Sequence, residues 1–143
     1  MRRLAMLFLG GSLLGCLSAA DSTPFELPPT DANVSGTFAL TTINGGGLPV
    51  LARLSSAEEW DLAADTLRIS GDSTWTETSF YNVTTLADGT VNQSQSIASG
   101  VYVVADKQIN FTMRVGGTST FAGSVQGSAL TLLFNDNHFV YLR

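Results

Sequence analysis

The chain has 143 residues, with 7 Lys and Arg against 12 Asp and Glu, one His and one Cys. That length is one ordinary domain, and a formal charge of −5 argues against a nucleic-acid binder, which needs clustered cations against phosphate. A single Cys excludes an intrachain disulfide framework and a multi-cysteine zinc site, and a single His excludes a multi-histidine metal centre. Neither a metal nor a cofactor is expected.

The chain opens with Arg2 and Arg3, followed by an apolar run from Leu4 to Leu14. The run has the length of a signal-peptide core and falls well short of the ~20 residues of a membrane-spanning helix. It ends in Leu13-Leu14-Gly15-Cys16. This tetrad resembles the lipobox of bacterial lipoproteins, with Leu14 where that family more often carries a smaller residue. The resemblance implies cleavage between Gly15 and Cys16 and lipidation of Cys16, so that residues 1–15 are a signal peptide. Several acyl chains anchor stably where one binds only marginally. The competing reading is an ordinary secretory signal cleaved near Ala19-Ala20. The lipobox reading also accounts for the lone Cys. It places the protein in a bacterial cell envelope, and Leu17 after the Cys implies the outer membrane in a Gram-negative host. Without Arg2 and Arg3, five basic groups face twelve acidic ones, a charge of −7.

Residues 16–33 hold three of the four prolines and no basic residue, a composition that reads as a solvated tether. Fully extended, that stretch reaches roughly 55 Å.

From Val34 the texture changes, and residues 34–143 read as one strand-rich domain. Turn signals recur at Asn44-Gly45-Gly46-Gly47, Gly71-Asp72, Asp88-Gly89, Ala105-Asp106-Lys107, Gly116-Gly117, Gln126-Gly127 and Asn135-Asp136-Asn137. Between them the alternation of apolar and polar residues predicts strands. In chain order these run over 36–43, 48–54, 66–70, 73–85, 101–105, 108–115, 120–126, 129–134 and 139–142. The alternation is cleanest over 108–115, where Ile109, Phe111, Met113 and Val115 share one face. Residues 91–99 are polar on both faces apart from Ile97 and read as an edge strand or a loop. Ser56 and Glu59 form a capping-box spacing ahead of Trp60 and Leu62, so this segment reads as either a short helix or a strand. Eight to nine strands with tight turns describe an all-β antiparallel meander that hides its edges by closing into a barrel. A two-sheet sandwich is the alternative.

Gly36-Thr37-Phe38, the Gly-rich turn before Leu48-Pro49-Val50, and the closing Phe139-Val140-Tyr141-Leu142-Arg143 resemble the lipocalin-like barrels of small bacterial envelope lipoproteins. Phe38 stands where lipocalins carry a Trp. The resemblance implies that Arg143 stacks over Phe38 to close one end of the barrel.

Catalytic motifs are missing from the sequence. There is no nucleophile elbow, phosphate loop or dinucleotide fingerprint. His138 reads as a solvated turn residue rather than a base. Glu58, Glu59 and Asp61 read as a solvated face rather than a glycosidase pair. Asn135-Asp136-Asn137 reads as a turn rather than a calcium loop. The remaining constellation is aromatic, enough either to pack a small barrel or to line a pocket. The expectation is therefore a non-catalytic, lipid-anchored envelope protein. If it takes a small apolar ligand, Phe38, Tyr102, Phe111, Met113 and Phe121 would hold it. The alternative is a protein-interaction module, such as an envelope assembly adaptor or a barrel-type protease inhibitor, working through loops or the edge at 91–99. An envelope hydrolase is the third and least favoured reading.

Overall fold

A computed structural model describes residues 25–143 of the chain. The expected signal peptide, residues 1–15, Cys16 and the first part of the expected tether lie outside the described residues. Ten strands follow one another: β1 (Gly36–Ile43), β2 (Gly46–Gly47), β3 (Val50–Leu54), β4 (Glu58–Ile69), β5 (Thr74–Thr85), β6 (Val91–Ala105), β7 (Gln108–Val115), β8 (Thr120–Gln126), β9 (Ala129–Phe134) and β10 (Asn137–Leu142). All pairings are antiparallel. From β4 through β10 each strand pairs with the next, β10 pairs with β1, and β1 returns to β4, with Gly36 opposite Ile69 and Ala39 opposite Thr66. Eight strands thus close an antiparallel meander into a barrel, as the alternation and the turn spacing predicted, in an architecture consistent with a small lipocalin-like barrel.

Tight turns set the register. Asp106-Lys107 and Asn135-Asp136 have positive φ at both central positions, the geometry of two-residue hairpins whose twist matches that of the flanking strands. The second turn is shorter than the sequence implied. Asn137 and His138 belong to β10, opposite Phe134 and Leu133.

The segment read as helix or strand is strand. Ser55 rather than Ser56 holds the turn before it, its hydroxyl accepting from the N–H groups of Ala57 and Glu58, and β4 then runs unbroken to Ile69. Its register slips between Leu62 and Ala64. One extra residue there gives Leu62 and Asp65 a spacing of three along one face, as a β-bulge does. A bulge between Leu40 and Thr42 in β1 has the same effect.

The two ends of the barrel differ. Where β1 begins, its direct pairing with β4 closes the wall. There Phe38, Leu67, Ile69, Trp75, Ile109, Phe111, Val125 and Leu130 are almost wholly buried. Where β1 ends, it parts from β4: Thr42 and Ile43 pair with β2, while Glu59–Leu62 of β4 pair with β3. The wall flares, and β3, β4, β5 and β6 continue beyond it as a projecting sheet. β7 pairs with β6 only from Ser99 onward, so residues 91–98 form the outer strand of that sheet.

The end of the tether is seated on the barrel. Leu27 and Val34 are buried. Thr30 and Asp31 donate backbone N–H bonds to the carbonyls of Lys107 and Val125, and Asp31 Oδ2 accepts from Gly127 N–H at 2.6 Å. The bond to Val125 satisfies a β8 carbonyl beyond Gly123, where pairing with β7 ends, and the other two satisfy groups in the turns after β6 and β8.

Candidate functional site

Trp75 organises the closed end. Its indole N–H donates to Val101 C=O at 3.1 Å, and its ring packs edge-on against Phe111 and Phe121 at 6.0 and 5.4 Å. Phe111 and Phe121 stack at 4.8 Å with their planes 10° apart. The close approach depends on Gly100 and Gly123. A Cβ at Gly100 would overlap the Thr112 carbonyl oxygen, and one at Gly123 would meet Leu132 Cδ2 at 2.5 Å. Arg143 holds its guanidinium over the Phe38 ring, 4.8 Å from the centroid. Tyr102 donates its hydroxyl to Ser70 C=O at 2.8 Å beside Phe111.

The flared end holds a cavity of about 70 Å³ lined by Glu77, Met113, Phe121, Leu132, Phe134, Phe139 and Tyr141. Of the five aromatic and Met residues expected to hold a ligand, Met113 and Phe121 reach this cavity. Phe38, Tyr102 and Phe111 are packed into the closed end instead.

Behind the cavity lies a polar cluster inside the barrel wall. β4 contributes Asp65, 5% exposed. β5 contributes Glu77 and Ser79, and β10 contributes Tyr141. Ser79 donates its hydroxyl to Asp65 Oδ2 at 2.6 Å, and Tyr141 donates to Glu77 Oε1 at 3.2 Å. A phenol has one hydrogen, so its attraction to Asp65 competes with its bond to Glu77. Asp65 Oδ1 is left buried with no hydrogen-bond partner.

Burial is the first cause that raises both carboxyls. It pushes Asp65 up against the opposing hydrogen bonds of Ser79 and Tyr141. It takes Glu77 to about 7, helped by the negative charge of Asp65 and opposed by the Tyr141 hydrogen bond. Burial and the two carboxylates raise the Tyr141 phenol, which therefore stays a protonated donor. The basic residues of the described chain, Arg53, Arg68, Lys107, Arg114 and Arg143, are all exposed, and none of them neutralises the cluster.

Motif patterns do not reveal this cluster, although its signal is present in the sequence. Trp75, Glu77 and Ser79 alternate on one face of β5, and Asp65, Leu67 and Ile69 do so on β4. An acid on an otherwise apolar strand face is the mark of a buried carboxyl.

The other acids are arranged for structure. Glu58 Oε2 accepts from the Trp60 indole at 3.0 Å, and Glu59, its neighbour in the strand, points to the opposite face. His138 donates its backbone N–H to Asn44 Oδ1 at 2.8 Å, and its ring lies 3.8 Å from that of Phe25. No group of three or more His, Cys, Asp or Glu among the described residues is placed to hold a metal. The chain matches no protein-family model, and no curated protein is significantly similar to it.

Proposed function

We propose that this protein is a lipid-anchored, non-catalytic module of the bacterial cell envelope that works by holding a partner protein against its projecting sheet. The lipobox-like Leu13-Leu14-Gly15-Cys16 supports the anchor. Ten residues separate Cys16 from the seated Leu27, so the barrel would sit within about 40 Å of the lipid. A ligand of drug size asks for ~300 Å³ or more. The cavity of about 70 Å³ is far smaller, which favours the interaction reading over an apolar ligand held within the barrel.

The observation that carries the reading is the outer edge of β6. Thr85 N–H bonds Thr90 C=O at 2.8 Å. Antiparallel alternation then turns the N–H and C=O groups of Val91, Gln93 and Gln95 away from β5, toward solvent. No strand among the described residues pairs with them. The segment Val91–Ala98 has neither Pro nor charge, the usual guards of an exposed edge. Leu51, Leu54, Phe80, Leu86 and Ile97 stand exposed on the same sheet and its hairpin, Leu54 at 62%. Such an edge takes an extended segment of another protein as an added strand.

Two measurements test this. Cys16→Ser in a Gram-negative host should abolish labelling by a fatty-acid analogue and release the protein to the soluble fraction. Unchanged membrane partitioning would overturn the anchor. A photo-crosslinking side chain at Gln95 in the living envelope should give a discrete protein adduct that Gln93→Pro removes. The same side chain at Thr131, on the far wall, should give none. Equal adducts at both positions, or none at either, would overturn the interaction reading.

A further inference from the structure

The cavity at the flared end is a second feature, independent of the sheet edge. Five of its seven lining residues, Met113, Phe121, Leu132, Phe134 and Phe139, are apolar, and the two polar ones, Glu77 and Tyr141, stand together. Asp65, buried on the neighbouring strand and bonded to Ser79, does not line the cavity but has one carboxylate oxygen unpartnered. Two acids buried side by side escape the cost of charge by staying protonated, but once ionised they call for an opposite charge. Here the compensating charge is missing from the described residues.

We infer that the flared mouth binds a small organic ammonium ion, its charged head donating N–H bonds to Glu77 and reaching toward Asp65, its short apolar tail lying among Phe121, Phe134 and Phe139. Several features select this chemistry. The Glu77 carboxylate in the lining calls for N–H donors, which a primary ammonium supplies in threes. The aromatic rings in the lining, Phe121, Phe134 and Phe139, can attract a cation. Apolar walls disfavour a hydrated inorganic ion, and about 70 Å³ admits a head and a few carbons but no bulky body. Asp65 faces Glu77 from β4 and Tyr141 faces it from β10. Ala98 on β6, opposite Glu77, and Met113 on β7 bring no charge. Glu77 is therefore the group whose ionisation governs binding near neutrality.

The test uses the full chain in zwitterionic nanodiscs, carrying ¹³C-methyl methionine. The chain has three Met, Met1, Met6 and Met113; among the described residues Met113 is the single reporter, and it lines the cavity. Butylammonium near pH 8 should shift the Met113 methyl signal saturably. Its midpoint should be about ten-fold or more below that of 1-butanol, the worth of one charge-assisted hydrogen bond, and butyrate should not bind. Lowering the pH to about 5, where Glu77 is protonated, should remove that advantage, as should Glu77→Gln. Equal response to butylammonium and butanol would overturn the inference in favour of a plain apolar cleft. No saturation at tens of millimolar would overturn it outright. The comparison of the three probes on the unmutated protein decides the matter even if Glu77→Gln fails to fold. None of these outcomes depends on the proposed partner at β6.

Discussion

The closed half of the barrel and the sheet that projects from it are made by the same strands, yet they obey different rules. In the first half of β5, Trp75 is 1% exposed and wedged against the Gly100 backbone. Five residues further on, Phe80 faces water at 45%. β6 runs the other way, from an unpaired edge at Val91 to a fully paired stretch after Ser99. Folding requires the interdigitated half, because burial of Trp75, Phe111, Phe38 and Ile109 supplies the hydrophobic gain. It does not require Leu54, Phe80 or Ile97 to be apolar. Side chains that packing leaves unexplained are where an interaction is best sought.

The sharpest way to break the comparison is to put a side chain where the closed half has none. Gly100→Val drives a Cβ into the Thr112 carbonyl oxygen and toward the Trp75 indole at 2.8 Å, and backbone cannot yield as a flexible side chain can. The expected cost is about 3 kcal/mol or more, seen as loss of the cooperative urea transition and of Trp75 fluorescence. Trp75→Ala in the same cluster should cost roughly 3–5 kcal/mol. If either variant unfolds at the midpoint of the unmutated protein, the closed half is not the stabilising half.

Stability should also fall as pH rises, which is the reverse of ordinary acid denaturation. The folded protein keeps a proton on Glu77 to about pH 7, whereas the unfolded chain loses it near 4.5. Between those values the native state binds more protons, so raising the pH favours unfolding until Glu77 ionises in both states. The raised Asp65 acts in the same direction. Asp72 and Asp88, lowered by hydrogen bonds from Thr74 and Thr90, act oppositely but only at more acidic pH. The urea midpoint should be higher at about pH 5 than at about pH 8 by the equivalent of a few kcal/mol, and Glu77→Gln should flatten the difference. A midpoint independent of pH would mean that Glu77 is better solvated than its surroundings suggest.

The seated tether gives a smaller effect. Thr30 accepts the Val125 N–H through Oγ1 at 2.8 Å, so Thr30→Val should cost about 1 kcal/mol. It should also raise hydrogen exchange at Val125 and Gly127 while leaving the Trp75 cluster protected.

These effects trace which parts of the structure were legible in the sequence. Strands such as β7 and β9, with unbroken period two between Asp106-Lys107, Gly127 and Asn135-Asp136, could be read to within a residue or two. β4 could not, because the bulge after Leu62 gives its inward residues a helix-like spacing of three. The docking of Thr30 and Asp31 was hidden as well, since their polar side chains and flanking prolines suit a solvated linker equally well. Each buried acid could be read from its strand face, but that Asp65 and Glu77 meet emerges only once β4 and β5 are in register. Asp65 and Glu77 lie twelve positions apart in the chain, and nothing local marks them as neighbours.

The smallest expected stability effect is the most telling about function. Phe80 and Ile97 protrude from the outer face of the projecting sheet, one strand apart. Replacing both with Ser removes exposed apolar surface without opening a cavity, so stability should change by less than about 0.5 kcal/mol in either direction. If the projecting sheet is a contact surface, the same double variant should lose the Gln95 crosslink while its unfolding curve overlays that of the unmutated protein. If instead stability falls by several kcal/mol, these side chains are packed in the protein's own fold, and the division between a half that folds and a half that binds must be redrawn.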